Sequence, residues 1–279
     1  MKRLIGREKE IESLEAYVDS GQAEFIAIYG RRRVGKTFLI NQLFRNRLAF
    51  SLTGIIDGTP SEQMESYVQA LEFNGYKINE HPKNWLTAFA ELRKFLQPKI
   101  NSGEPCIVFI DEISCFDSQR SGFVRALGFF WNSWASLQDN LKLIICGSVT
   151  SWMITNIIDS KGGLHNRVTH EIALHQFTLH ETELYLLNRG FNWSRLTILQ
   201  AYMCLGGVPY YLSLLSASES LAENLDRLFF ARDAELQKEY SRLYKTLFKS
   251  PEPYMKIVKL LAESKQGLTR QEISTKLKI

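Results

Sequence analysis

Phe25-Ile-Ala-Ile-Tyr-Gly-Arg-Arg-Arg-Val-Gly-Lys-Thr37 decides how the rest of the chain is read. A short apolar run enters Gly30, four residues follow, and Gly35, Lys36 and Thr37 close the pattern before another apolar run from Phe38 to Phe44. This is G-x-x-x-x-G-K-[ST] set between a strand and a helix, the context that a phosphate-binding loop requires. Glycines let the backbone curl so that successive N–H groups point at phosphate oxygens, and the following helix adds its positive end. Gly30, Arg31, Arg32, Arg33, Val34, Gly35, Lys36, Thr37 and Phe38 are therefore the candidate nucleotide-binding stretch. Lys36 is placed to reach the β- and γ-phosphates and the Thr37 hydroxyl to bind Mg²⁺. Arg31, Arg32 and Arg33 raise the positive potential, or simply face water. The alternative, a chance glycine turn, leaves the flanking strand and helix unexplained.

Outward from this loop, strands alternate with helices. Apolar runs at Phe25–Tyr29, Arg47–Thr53, Cys106–Ile110, Leu141–Cys146 and Thr169–Leu174 read as strands. Between them, Thr59-Pro-Ser-Glu62 forms a capping box opening a helix to about Phe73. Trp85, Phe89, Leu92 and Leu96 mark a second helix, expected to end at Pro98. The alternation predicts an α/β fold with a parallel sheet covered by helices, its ligand at the carboxyl ends of the strands. After Phe177 the strands stop. Helices are expected at Glu181–Asn188, Ser194–Leu205 and Leu221–Phe248, then at Tyr254–Ala262 and after Thr269. The expected divisions are a P-loop core at 1–177, a helical lid subdomain at 178–249 and the start of a winged helix at 250–279. The last domain stops before a recognition helix, so the natural chain is expected to continue past Ile279.

Asp111 and Glu112 follow the strand Cys106–Ile110. A carboxylate there holds Mg²⁺ through its water shell opposite Thr37, and a second can accept a proton from the attacking water. Asp111 is the candidate metal partner and Glu112 the candidate general base; an ordinary acidic turn is the alternative. Ser148 ends the next strand, where a hydroxyl can reach the γ-phosphate or the water. Arg167 precedes the last strand, as a fixed cation for the phosphates or as a solvated loop residue. Phe129, Phe130, Trp131 and Trp134 recur at helical spacing, which suits core packing better than a base-stacking platform. His165, His170, His175 and His180 recur every five residues, a spacing that shares a face of neither helix nor strand and does not suggest a metal site.

The chain has 279 residues, 45% hydrophobic and 23% charged, enough for a sizeable core plus one or two small domains. No apolar run approaches the roughly 18–20 residues that span a bilayer, so no membrane partner is expected. Four cysteines without C-x-x-C pairing suggest buried, reduced thiols in a cytoplasmic protein. The net charge of +4 is uneven, because residues 238–279 hold ten Lys/Arg against four Asp/Glu. That basic stretch is either a solvated helix surface or a contact for DNA.

Taken in order, LIGREKEIESLE (4–15), IYGRRRVGKT (28–37), CIVFIDEIS (106–114), IICGSVTSWM (144–153), GGLHNRVT (162–169) and LGGVPYYL (205–212) resemble a known family. It is that of the prokaryotic and archaeal-type ATPases of the STAND group, within the AAA+-like P-loop proteins with their Walker A and Walker B motifs. The resemblance implies ATP rather than GTP, with Ile5, Gly6, Arg7 and Glu8 along the adenine side. Gly207-Val-Pro209 would be a lid motif touching base and ribose. The helical subdomain and winged helix would move with the nucleotide state. Where many relatives have glycine before the residue matching Arg167, this chain has Asn166.

Two functions follow from these residues. The first is an ATP-binding, Mg²⁺-dependent, slowly hydrolysing switch. The second is a DNA-binding regulator whose nucleotide, ATP or ADP, is mainly structural. Self-association is left open in both.

Overall fold

A computed structural model describes residues 4–239, 243–244, 248 and 250–278. The chain divides into two compact units, Met1–Ser213 and Leu214–Ile279.

The first unit is built on five strands: β1 (Glu24–Tyr29), β2 (Leu48–Thr53), β3 (Cys106–Asp111), β4 (Leu141–Gly147) and β5 (His170–Ala173). Their order across the sheet is β2-β3-β4-β1-β5, and every pairing is parallel. β1, β3 and β4 are buried along nearly their whole length, as expected for strands covered on both faces. Side chains alternate between two cores. Phe25 and Ala27 join Phe50, Val108 and Leu143 on one face, under α3 (Pro60–Phe73), α4 (Trp85–Ile100) and α5 (Phe123–Ser133). Ile26 and Ile28 join Ile107 and Ile144 on the other, under α1 (Glu8–Val18) and α2 (Lys36–Phe44).

The capping boxes at Thr59 and Thr178 are both formed, and each sets where its helix begins. Phe130, Trp131 and Trp134 are core residues, while Phe129 is 62% exposed. Pro98 does not end its helix: α4 runs on to Ile100. Ile100 reaches the core, and the Asn140 side chain donates to its carbonyl at 2.9 Å, so the last turn is held despite the missing N–H of Pro98. Not all four thiols are buried. Cys106 and Cys146 are, but Cys204 is exposed on α8 (Arg195–Leu205). After β4 come α6 (Thr150–Met153) and a π turn, and after β5 come α7 (Leu179–Asn188), α8 and the short α9 (Pro209–Ser213).

The second unit begins with α10 (Leu221–Leu225), which runs into a π turn, Asp226–Phe230. The single helix expected over Leu221–Phe248 stops there. Ala231 turns extended, and Leu236 N–H donates to Leu228 O at 3.0 Å, which folds the chain back and buries both leucines. Residues 240–242 and 245–247 of that expected helix lie outside the described residues. Helices Glu252–Glu263 and Arg270–Leu277 follow, the second opened by a capping box at Thr269. No helix among the described residues is long and apolar enough to cross a membrane.

Candidate functional site

Strand order brings the sequence motifs together. β4 lies between β1 and β3, with Tyr29 opposite Gly147 and Ile110 opposite Ile145. The P-loop, Ser148 and the Asp111-Glu112 pair therefore leave the sheet side by side at its carboxyl edge.

The loop is shaped by backbone contacts that only glycine permits. Gly30 has φ +152, and a Cβ there would lie 2.2 Å from Leu174 O. Leu174 N–H in turn donates to Tyr29 O at 2.7 Å, so the loop's first residue is pressed against the end of β5. Gly35, at φ +96, has open space where its Cβ would be, and α2 starts at the next residue.

Lys36 is buried, and its Nζ donates to the carbonyls of Gly30 at 2.8 Å and Arg31 at 3.2 Å. Burial lowers its pKa, against the pull of Glu112. Thr37 Oγ1 donates to Asp111 Oδ2 at 2.5 Å, and Glu112 N–H donates to Asp111 Oδ1 at 2.9 Å. Burial raises the Asp111 pKa despite these bonds. Glu112 itself sits at φ +45, a left-handed conformation rare outside glycine, which turns it off the strand line. Its Oε2 accepts a hydrogen bond from the buried Ser148 hydroxyl at 2.7 Å.

These groups suit a magnesium–nucleotide ligand. Among the described residues no group of three or more His, Cys, Asp or Glu could hold a metal. Mg²⁺ needs no such cage, since it takes one or two protein oxygens and completes its shell with water and phosphate oxygens. The adjoining Thr37 hydroxyl and Asp111 carboxylate are hard oxygen donors of that kind.

Above them opens a cavity of about 850 Å³. At one end its wall is Arg32, Gly35, Lys36, Thr37, Ile56 and Glu112. At the other it is Leu4, Ile5, Phe177, Tyr185, Pro209 and Tyr210, which is apolar and aromatic enough for a base. Arg33, at φ +70, stacks its guanidinium over Tyr210 at 4.1 Å, joining the P-loop to α9.

Arg7 is 6% exposed beneath this end. Its Nη2 donates to Val34 O at 3.3 Å and also to His175 O, and its guanidinium lies 4.9 Å from the Phe177 ring centre. Its main-chain N–H donates to Glu181 Oε1 at 3.1 Å. Gly6 is pressed so close to that glutamate that a Cβ would lie 2.9 Å from Oε1. The connection from β5 to α7 is held from the far side as well: Phe177 N–H donates to Gly207 O at 2.7 Å, and a Cβ on Gly207 would meet Phe177 O at 1.9 Å.

Of the residues singled out in the sequence, Ile5, Arg7, Arg32, Arg33, Val34, Gly35, Lys36, Thr37, Phe38, Glu112 and Pro209 line the cavity. Gly6, Gly30, Asp111 and Ser148 support it through the contacts above. Arg31 is exposed and donates to Gln176 at 3.4 Å. Arg167 is exposed in a turn closed by its own N–H to Leu164 O, and does not line the cavity. Tyr185 and Asn188 line it from α7, Arg189 from the residue that caps that helix, and Ser213 from α9, none of them anticipated. The first three are spaced i, i+3, i+4, a shared helix face that the sequence did display.

A family model of ATPase domains predominantly from Archaea matches residues 4–215. The chain belongs to this family of archaeal-type ATPase domains. An uncharacterised protein of Methanocaldococcus jannaschii is 27% identical over 262 residues, 92% of this chain and 54% of that protein. This ATPase domain chain therefore spans about half the length of that relative. An uncharacterised ATP-binding protein of the same organism is 44% identical over 43 residues, 15% of this chain and 73% of its own. Among solved structures, the Walker-type ATPase of Pyrococcus abyssi superposes with a TM-score of 0.64 at 18% identity, covering 99% of this chain and 88% of that one. The ORC2 protein of Aeropyrum pernix, solved in ADPNP–ADP complexes, gives 0.61 at 16% identity, covering 99% and 80%. These likenesses bear on the fold, a P-loop ATPase fold with a parallel sheet covered by helices.

Proposed function

We propose that this chain binds ATP with Mg²⁺, hydrolyses it slowly and works as a nucleotide-controlled switch. The observation that carries this reading is the convergence of two motifs from the ends of β1 and β3, on either side of β4: Lys36, Thr37 and Glu112 line one cavity, and Asp111 is bonded to Thr37. Lys36 exchanges the carbonyls of Gly30 and Arg31 for the β- and γ-phosphate oxygens. Thr37 and Asp111 would hold the cation, Asp111 through water. Mg²⁺, when bound, neutralises charge on the phosphate oxygens. Glu112 takes the proton of the attacking water while Ser148 fixes its other oxygen, and the products are ADP and inorganic phosphate. The preference for ATP over GTP rests on the family.

The switch is the mobile part of this reading. Helices between residues 178 and 249 would be the lid, and residues 250–279 would belong to a winged helix, in a cytoplasmic protein that can self-associate. The test is Mg²⁺-dependent phosphate release from ATP by the chain and by Glu112→Gln. The variant should bind ATP within threefold of wild type yet lose about 10²–10⁴-fold in turnover. Undiminished turnover would remove Glu112 as the base.

A second reading, DNA binding, is favoured by the described basic residues at or between the last two helices: Lys256, Lys259, Lys265, Arg270, Lys276 and Lys278. It predicts duplex binding that weakens steeply with salt. Binding that ignores salt would contradict it.

A further inference from the structure

The family resemblance implied that Arg7 lies along the adenine side, and Arg7 does line the cavity; its contacts add a second part for it. Its guanidinium pairs with the Glu10 carboxylate at 3.5 Å, one turn along α1, and donates to two main-chain carbonyls, Val34 in the P-loop and His175 in the connection from β5 to α7. Its own N–H is aimed at Glu181, the residue whose carboxylate caps α7 by accepting from Thr178 N–H at 2.7 Å. That aim depends on two successive left-handed residues, Gly6 at φ +67 and Arg7 at φ +70. Arg7 thus touches the phosphate-binding loop, the segment leading into the first lid helix and the cap of that helix, all within the first unit. A guanidinium suits such a place because its rigid fork can serve two carbonyls at once, which a lysine ammonium on a flexible stem does less well.

Resting on the nucleotide-binding reading above, we infer that Arg7 is a positioning residue that couples the P-loop to α7, so that filling the phosphate end orders the lid. When phosphate draws the loop carbonyls and Lys36 into their bound arrangement, Val34 O moves with them. Arg7 carries that change to His175 and, through its N–H, to Glu181. Without this tie the two ends of the cavity respond separately.

The experiment is amide hydrogen exchange over residues 178–188, with and without Mg²⁺–ADP, beside a binding titration of the same samples. In wild type, nucleotide should slow exchange in α7 about fivefold or more, the lower range of a coupling between sites. Arg7→Lys should still bind ADP, weakened about tenfold, while the slowing falls below about twofold. Should Arg7→Lys fail to fold, Glu181→Ala carries the same test. It removes the acceptor of the Arg7 N–H and should abolish the slowing, whereas Thr178→Ala weakens the same helix start without touching Arg7 and should keep it.

Full slowing in Arg7→Lys or in Glu181→Ala would overturn the coupling while leaving nucleotide binding intact. A changed ATP-to-GTP preference in Arg7→Lys with full slowing would return Arg7 to the base. No nucleotide binding in wild type would overturn the functional reading, and the coupling with it.

Discussion

The two ends of the cavity are built by different means. The phosphate end rests on short turns leaving β1, β3 and β4, three strands buried on both faces, so its groups are fixed by the sheet itself. The base end is assembled from pieces far apart in the chain: residues 4–7, the connection at 174–177, α7 and α9. Those pieces are held by a few specific contacts, among them the carbonyls taken by Arg7, the stacking of Arg33 on Tyr210 and the close approach at Gly207. A rigid end beside one held by separable contacts is what a site needs if bound phosphate is to change the position of a lid.

The sharpest way to break this difference is Gly207→Ala. A methyl group 1.9 Å from Phe177 O forces the connection and α9 apart. The variant should lose about 3 kcal/mol in urea denaturation. It should also bind ATP more weakly while inorganic tripolyphosphate, which engages only the phosphate end, binds as before. Equal weakening of both ligands would mean that the ends are not separable.

Ser148→Ala probes the rigid end. Losing the hydroxyl that holds Glu112 Oε2 should lower kcat about tenfold, or about 1.4 kcal/mol, with KM within twofold. A change in KM alone would place Ser148 in binding instead.

The smallest effect concerns acid. Burial raises the Glu181 pKa, but bonds from the N–H groups of Thr178 and Arg7 outweigh it, so the folded value lies below the usual 4.5. Glu181 therefore adds stability that is fully present above the unfolded pKa and is lost as pH falls through the lowered folded value. Glu181→Ala should cost about 1 kcal/mol near neutrality, and the gap between the two melting temperatures should close on acidification. A gap independent of pH would show that the cap, not the charge, matters.

The same contrast explains what the sequence revealed. Continuous apolar runs such as Cys106–Ile110 and Leu141–Cys146 are the mark of strands buried on both faces, so all five strands were legible to within about two residues. The phosphate end was legible because its chemistry is local: Lys36 and Thr37 adjoin, as do Asp111 and Glu112. The base end was legible only through the family resemblance, which named Ile5, Arg7 and Pro209; Tyr185, Asn188, Arg189 and Ser213 are ordinary residues in or beside helices until folding brings them to the cavity. Pro98 and the segment after Phe230 went against local rules for tertiary reasons, the burial of Ile100 in one case and of Leu236 in the other. Arg7 was noticed by resemblance, but the two carbonyls its guanidinium reaches, 27 and 168 residues away, appear only in three dimensions.

The central claim is that the end around Lys36 binds the phosphates of a nucleotide. Calorimetric titration of Mg²⁺–ATP into the chain and into Lys36→Ala tests it directly. Wild type should bind, and the variant should bind at least about 100-fold more weakly, the loss expected when a buried charged donor to phosphate is removed. Equal affinity in the two proteins would contradict the account.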